Sequence, residues 1–114
     1  MVDPHFVRHS HSGQLEIRSR DELIRFLRDE FMTFPDGQET LLDLFADGDR
    51  VAARHRFAGT QKGPLGSLPP SNKTLSAEYL AVYRLESGRI VEAWVEWDNL
   101  NSLKQLGHIP PGMI

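Results

Sequence analysis

Cysteine is absent from the 114 residues of the chain. This absence excludes disulfide bonds and thiolate zinc sites, so the fold has to be stabilised by its packed interior. An excess of positive charge is also missing, since 13 Lys and Arg residues stand against 16 Asp and Glu residues. Binding to nucleic-acid phosphates depends on such an excess, and we therefore expect no nucleic-acid partner.

Long apolar runs are missing as well. No window approaches the ~20 apolar residues of a transmembrane helix, and residues 1–13 have neither the apolar core nor the cleavage site of a signal peptide. We therefore expect a cytoplasmic protein without a membrane partner. The hydrophobic fraction of 39% is ordinary for a globular protein, and the length suits one core, which predicts a single domain over residues 1–114.

Residues 19–31 have the clearest helical pattern. Ser19 and Glu22 fit a capping box at its start. The apolar positions that follow recur at helical spacing, at Leu23, Phe26, Leu27 and Phe31. A second, shorter helix is predicted near the C-terminus, with Asp98 or Asn99 as its cap and a glycine at its end.

Strand patterns occupy the middle of the chain. Residues 38–46 and 50–60 are predicted to form one hairpin around a DGD turn, and residues 74–86 and 89–98 a longer hairpin around a Ser-Gly turn. The segment between them, residues 61–73, is rich in Gly, Pro, Ser and Asn and is predicted to be a loop. One helix, four strands in a meander and a terminal helix indicate an α+β fold. The N-terminal residues are assigned to no regular element.

The last predicted strand has two different sides. Alternation places one group on the first side, Glu92, Trp94, Glu96 and Asp98, and a second group on the other, Val91, Ala93, Val95 and Trp97. The second side is apolar and suits packing on another layer, whereas the first carries three carboxylates and an indole. Which side meets the helix stays open, because a single β-bulge would exchange the two.

A long segment near the C-terminus, residues 82–107, reads VYRLESGRIVEAWVEWDNLNSLKQLG. Together with residues 47–63, 65–75 and, more weakly, 5–13 and 34–36, it resembles the SnoaL-like polyketide cyclase group of the NTF2-like superfamily. The resemblance implies an NTF2-like cone, in which a curved, mostly antiparallel sheet packs on helices around an internal pocket. This chain departs from the pattern by lacking the N-terminal helix or helices that relatives usually carry. It also has Ala81 where relatives often carry a polar pocket residue.

The resemblance assigns a catalytic role to Asp98. In such cyclases an aspartate at this position acts as general acid/base: a proton leaves the carbon next to a carbonyl, the enolate attacks a second carbonyl, and the alkoxide is protonated. A free aspartate, with a pKa of about 3.9, is too weak a base at neutral pH. A dry pocket therefore has to raise that pKa, with Trp94 and Phe57 as its walls. The alternative is that Asp98 only caps the terminal helix, which would favour its ionised form instead.

The histidines near the N-terminus offer a second candidate. His9 resembles a pocket histidine of the family and is a candidate for relaying a proton. His5, His9 and His11 also raise the question of a metal site, but they lie on no predicted regular element and the chain has no cysteine. A solvated loop histidine is the commoner outcome, and we expect no bound metal.

Three further residues are candidates for substrate binding. Arg54 is predicted to orient a substrate carbonyl, or, as the ordinary alternative, to pair with Glu92 or Glu96 across the sheet. Tyr79 and Tyr83 are candidates for lining the pocket with their hydroxyl groups, although tyrosines in strands often have no function.

Two functions of different classes follow from these residues. The first is a cofactor-independent, aldol-type cyclase or isomerase that acts on a small, largely apolar carbonyl compound. The second is a non-catalytic ligand-binding or assembly module on the same fold, which Ala81 and the short N-terminus favour. The short N-terminus would also leave apolar surface to cover, so we expect a homodimer or a higher homo-oligomer.

Overall fold

The computed structural model describes residues 1–110 and residue 112 of the chain. Six strands and two helices occupy these residues. In chain order they are β1 (Val2–Ser10), β2 (Leu15–Ile17), α1 (Arg20–Thr33), β3 (Gln38–Asp47), β4 (Arg50–Thr60), β5 (Thr74–Glu86), β6 (Arg89–Trp97) and α2 (Asn99–Gln105). The predicted α+β class is confirmed, as are both predicted helices, both hairpins and the loop over residues 61–73.

Both helices begin at the predicted caps. The Ser19 hydroxyl accepts a hydrogen bond from the Glu22 N–H at 3.1 Å, which satisfies one of the free amides at the start of α1. At α2 the Asp98 carboxylate accepts from the Asn101 N–H at 2.9 Å. Gly107 follows α2 with a φ of 84°, the left-handed conformation that commonly ends a helix and that glycine adopts without strain.

The six strands form one curved sheet in the order β2-β1-β6-β5-β4-β3. β1 lies parallel to β6, and the remaining neighbours are antiparallel. Leaving the N-terminal residues without a regular element was therefore wrong, since β1 is an interior strand of the sheet. Its pattern is hard to recognise because two of the residues that share a face with buried Phe6 are polar, Arg8 and Ser10.

Residues that pair across neighbouring strands lie on the same face of the sheet. Arg8 pairs with Ala93, and Ala93 pairs with Tyr83. Ala93 belongs to the main buried cluster, together with Phe6, Ile17, Ala81 and Val95. Leu23 and Phe26 of α1 pack against this cluster, so α1 covers the Ala93 side of the sheet. We call this side the inner face and the opposite side the outer face.

Only part of the predicted apolar stripe of α1 faces the sheet. Leu23 and Phe26 pack inward, whereas Leu27 and Phe31 are 50% and 67% exposed. Glu30, four residues after Phe26, lies on the inward side instead and is half-buried. Two of the four predicted stripe residues were therefore wrong, because α1 contacts β1 at one side of the sheet and leaves its remaining surface open.

A second buried cluster lies beneath α2. Leu106, with 1% of its surface exposed, packs with Phe34 and Leu75. Beside it the fully buried Gln61 organises the loop over residues 61–73: its amide group donates to the Gly63 and Pro69 carbonyl groups, and its side-chain oxygen accepts from the Ser71 hydroxyl. Within the part of the chain that the structure describes, no helix is long and apolar enough to cross a membrane.

Candidate functional site

A group of polar side chains lies on the inner face between α1 and the β3 edge. The group consists of Arg8, Glu30, Glu39, His55, Tyr79 and Tyr83, and we call it the inner polar cluster. Its members come from five elements, namely β1, α1, β3, β4 and β5, so only the folded chain brings them together. The register places His55 of β4 directly opposite Tyr79 of β5, and Tyr83 lies one inner-face position beyond Ala81.

His55 is the centre of the hydrogen-bonding arrangement. Its Nε2 lies 3.3 Å from the Tyr83 hydroxyl, and its Nδ1 lies 3.8 Å from a carboxylate oxygen of Glu39. The imidazole stacks on the Tyr79 ring with 4.6 Å between centroids and 13° between planes. These contacts fix the orientation of the ring, and its two nitrogens are in position to exchange protons with neighbouring groups.

The two tyrosines are held as neutral hydrogen-bond donors. Burial raises the pKa of Tyr79, and the Glu39 carboxylate, which accepts from its hydroxyl at 2.7 and 2.8 Å, raises that pKa further. Burial also raises the pKa of Tyr83. A phenol that keeps its proton can donate to a carbonyl oxygen and stabilise the negative charge that develops there during enolisation.

Arg8 carries the positive charge of the inner polar cluster. Its Nε donates to the Ser10 hydroxyl at 3.0 Å, and its guanidinium lies over the Phe26 ring, 4.8 Å from the centroid. Burial lowers the pKa of Arg8, an effect that nearby Glu30 partly offsets. Burial raises the pKa of Glu30, and the neighbouring Glu39 carboxylate adds to this. Charge is therefore costly on this part of the inner face for both signs.

His9 lies on the outer face, directly opposite Trp94. Its Nε2 is 2.8 Å from Glu92, its Nδ1 is 3.4 Å from Glu16, and its ring stacks on the Trp94 indole. The hydrogen bond with His9 lowers the pKa of Glu92. Trp94 in turn lies beneath the guanidinium of Arg50, 5.1 Å from the ring. These are the contacts of a surface network of charged and aromatic groups.

Arg54 also lies on the outer face, but its partners differ from the predicted ones. It forms ion pairs with Asp43 at 2.6 Å and with Glu78 at 2.8 Å, on the neighbouring strands β3 and β5. Pairing with Glu92 or Glu96 was therefore wrong. The physical reason is register: the carboxylates of β3 and β5 adjoin Arg54 directly, whereas β6 is two strands away.

Asp98 lies at the end of β6, beside an open outer-face depression that is also lined by Arg54, Glu78 and Leu80. Its side chain is exposed and accepts the α2 capping hydrogen bond. In the single chain, this position lacks the dry surroundings that the acid/base mechanism requires. Trp94 shares the outer face with Asp98, but Phe57 lies on the inner face and packs on Phe34. The expected pair of walls around Asp98 is therefore not formed.

The sheet thus divides the residues that the sequence singled out. Tyr79, Tyr83 and Phe57 lie on the inner face, and His9, Trp94 and Arg54 lie on the outer face. Four members of the inner polar cluster were not predicted as site residues: Arg8, Glu30, Glu39 and His55. Alternation in the sequence already placed His55 on the same side of its strand as Phe57. The contacts of Arg8, Glu30 and Glu39, however, depend on how α1 and β3 meet the sheet. No group of three or more metal-ligating side chains occurs in the described residues.

Solved structures with this fold come from several bacteria. IdmH from Streptomyces antibioticus is 30% identical, with 94% of this chain and 82% of that one covered and a TM-score of 0.78. A SnoaL-like protein from Jannaschia sp. CCS1 is 24% identical, and the match covers 96% of this chain and 75% of that protein with a TM-score of 0.86. A protein of ketosteroid isomerase-like fold from Catenulispora acidiphila is 14% identical, and the match covers 96% of this chain and 78% of that protein with a TM-score of 0.81.

These likenesses confirm the NTF2-like fold. No curated protein sequence matches the chain. The family model described as SnoaL-like polyketide cyclase matches residues 1–106, which is nearly the whole chain. On this evidence the chain belongs to the SnoaL-like polyketide cyclase family.

Proposed function

We propose that the protein is an enzyme that acts without a bound cofactor on a small, largely apolar carbonyl compound, either closing a ring by aldol-type addition or moving a proton within the substrate. The observation that carries this proposal is the contact between His55 and Tyr83, with Tyr79 and Glu39 beside it. It joins a proton acceptor to neutral hydrogen-bond donors on the face of the sheet that the helix covers.

The proposed reaction uses these groups in sequence. The Tyr83 hydroxyl turns from His55 to the substrate carbonyl oxygen, which frees Nε2 of the imidazole. Nε2 then takes a proton from the carbon next to that carbonyl, while Tyr83 donates a hydrogen bond to the enolate oxygen and the single Tyr79 proton stays with the Glu39 carboxylate. The enolate carbon attacks a second carbonyl of the same substrate. The resulting alkoxide recovers the proton from the imidazolium, so that protons and electrons balance and no external oxidant or reductant is needed.

Asp98 stays a prediction that rests on the family resemblance. Its location on the outer face separates it from the inner polar cluster, so the two assignments make different predictions for the same assay. His9 likewise stays a prediction, because its contacts with Glu92 and Glu16 accommodate a structural role as well as proton relay.

Hydrogen exchange at a model ketone tests the proposal without knowledge of the natural substrate. We suggest α-tetralone in D2O, with loss of the signal from the protons next to the carbonyl followed by NMR. The wild-type protein is expected to accelerate exchange, and His55→Gln to reduce that acceleration by about 100-fold or more, the usual contribution of a general base. His108→Gln is the matched control, since this imidazole is also half-buried and hydrogen-bonded, to Gln61, and belongs to neither candidate site.

Each outcome has a distinct meaning. Loss of exchange in His55→Gln but not in Asp98→Asn supports the inner polar cluster. The reverse result assigns the acid/base role to Asp98 and overturns our assignment. No acceleration by the wild-type protein, combined with measurable binding of the ketone, favours the alternative function of a ligand-binding module. That alternative has its own support in Ala81, which is 2% exposed and supplies no polar group to the inner face.

Homo-oligomerisation is a separate proposal. Apolar side chains are exposed on the free side of α1, and these include Ile24, Leu27, Phe31 and Met32. Surface of this kind commonly covers itself by association. Sedimentation at micromolar concentration is expected to give a mass above the 13.0 kDa of one chain, and a monomer there would contradict the proposal.

A further inference from the structure

We propose that Arg8 binds an anionic oxygen of the ligand, as found in a carboxylate or an enolate, on the inner face of the sheet. This inference rests on the proposed function in one respect only, which is that the inner face is the ligand-binding side. It narrows the ligand from any apolar carbonyl compound to one that carries negative charge at a defined distance from its carbonyl group.

Arg8 is held in a fixed position by neutral groups. The hydrogen bond from Nε to the Ser10 hydroxyl holds one edge of the guanidinium, and the Phe26 ring supports its plane. The terminal nitrogens make no hydrogen bond to the described residues, and no carboxylate oxygen of those residues lies within 4.0 Å of Arg8. The planar pair of donors that arginine uses to bind a carboxylate is therefore positioned and available.

The absence of an acidic partner for Arg8 contrasts with the outer face. There Arg54 contacts Asp43 and Glu78, and Arg84 contacts Glu86 and Glu92. An arginine remains protonated in proteins, so a half-buried guanidinium without a counter-ion keeps a desolvation cost that an incoming anion would reduce.

Glu30 is the acidic group nearest to this position on α1, and it does not supply the missing counter-ion. Its charge affects the pKa of Arg8, but no ion pair forms between the two side chains. Burial, followed by the Glu39 carboxylate, raises the pKa of Glu30. The ionised form of Glu30 is therefore disfavoured where a ligand anion would bind, which reduces the repulsion between them.

The register of the sheet sets the spacing of the two ligand groups. Arg8, Ala93 and Tyr83 follow one another across β1, β6 and β5. Neighbouring strands lie about 4.8 Å apart, so the backbones of Arg8 and Tyr83 are roughly 10 Å apart. A ligand about one ring wide reaches Arg8 with its anionic oxygen and Tyr83 with its carbonyl oxygen.

A pair of probes that differ in charge tests this inference. Binding of 2-naphthoate and of the neutral 2-naphthamide is measured by titration calorimetry on the wild-type protein, Arg8→Gln and Arg50→Gln. The wild type is expected to bind naphthoate about ten-fold more tightly than naphthamide, the size of a charge-assisted hydrogen bond at a half-exposed site. Arg50→Gln is the matched control, because it removes one positive charge from the outer face.

Loss of the preference in Arg8→Gln, with the preference kept in Arg50→Gln, supports the inference. Equal affinity of the wild type for both probes, no binding of either, or a preference that survives Arg8→Gln overturns it. If Arg8→Gln does not fold, NMR on the intact protein decides instead: the Arg8 Nε signal, identified by its absence from Arg8→Lys, must shift with naphthoate and not with naphthamide. These readouts measure binding alone, so they remain separate from failure of the exchange assay.

Discussion

Replacing Leu106 by alanine is expected to destabilise the fold by about 3 kcal/mol. Leu106 is 1% exposed and packs on Phe34 and Leu75, so the substitution removes buried methyl groups and leaves a space that rigid neighbours cannot fill. Leucine-to-alanine changes in cores cost about 2–5 kcal/mol. The backbone N–H of residue 106 still donates to the Ser102 carbonyl in the variant, so the expected loss is one of packing.

The expected change is large enough to measure by thermal and urea unfolding. For a chain of 114 residues, 1 kcal/mol corresponds to about 4 °C, so the melting temperature should fall by roughly 12 °C. Leu100→Ala, in the helix that Leu106 follows, is the matched control, because Leu100 is 46% exposed. Its expected cost is below about 1 kcal/mol. Leu106→Met, which nearly conserves volume, should cost less than about 1.5 kcal/mol.

The comparison between the two leucines can refute the reasoning. If Leu106→Ala unfolds within 1 kcal/mol (roughly 4 °C) of the wild type, Leu106 is not in a tightly packed interior. If Leu100→Ala loses as much as Leu106→Ala, burial beneath α2 does not explain the difference between the two positions. A Leu106→Ala protein too unstable to fold, beside a folded Leu106→Met, would agree with the prediction.

Three further predictions concern other parts of the chain. Gly13→Ala should cost about 1–3 kcal/mol in urea unfolding and shift tryptophan fluorescence, because the added Cβ would lie 2.5 Å from the Trp97 ring. Glu92→Gln should lower stability above about pH 4.5. The hydrogen bond with His9 lowers the pKa of Glu92 in the folded state, so the difference in stability between wild type and variant should vanish as the pH falls through that lowered pKa. Above about pH 10, stability should fall because the unfolded chain loses the Tyr79 proton first, and Tyr79→Phe should make that fall less steep.

Short-range patterns were enough to predict much of the secondary structure. The helix after Ser19, both hairpins and the cap at Asp98 follow from capping residues, alternation and turn residues that act over a few positions. The alternation of β6 was also predicted correctly, with Ala93 and Val95 buried and Glu96 exposed. The family resemblance then correctly indicated the NTF2-like fold.

β1 was missed for a physical reason. A strand is usually recognised by apolar residues at every second position, but the inner side of β1 alternates between apolar Phe6 and polar Arg8 and Ser10. The charged Arg8 side chain is tolerated on the inner side because its guanidinium lies over the Phe26 ring and its Nε donates a hydrogen bond to the Ser10 hydroxyl. The feature that concealed the strand is the same one that makes Arg8 a candidate ligand-binding residue.

The sequence by itself determined where the helices and four of the strands begin and end to within about two residues, because those signals are local. Only the tertiary structure decided which candidates share a surface. The order of the strands and the position of α1 separated Tyr79 and Tyr83 from Asp98 and Trp94, and they brought His55 next to Tyr83. Alternation assigns a residue to one of two sides of a strand, but which side becomes the inner face depends on where a helix from elsewhere in the chain packs.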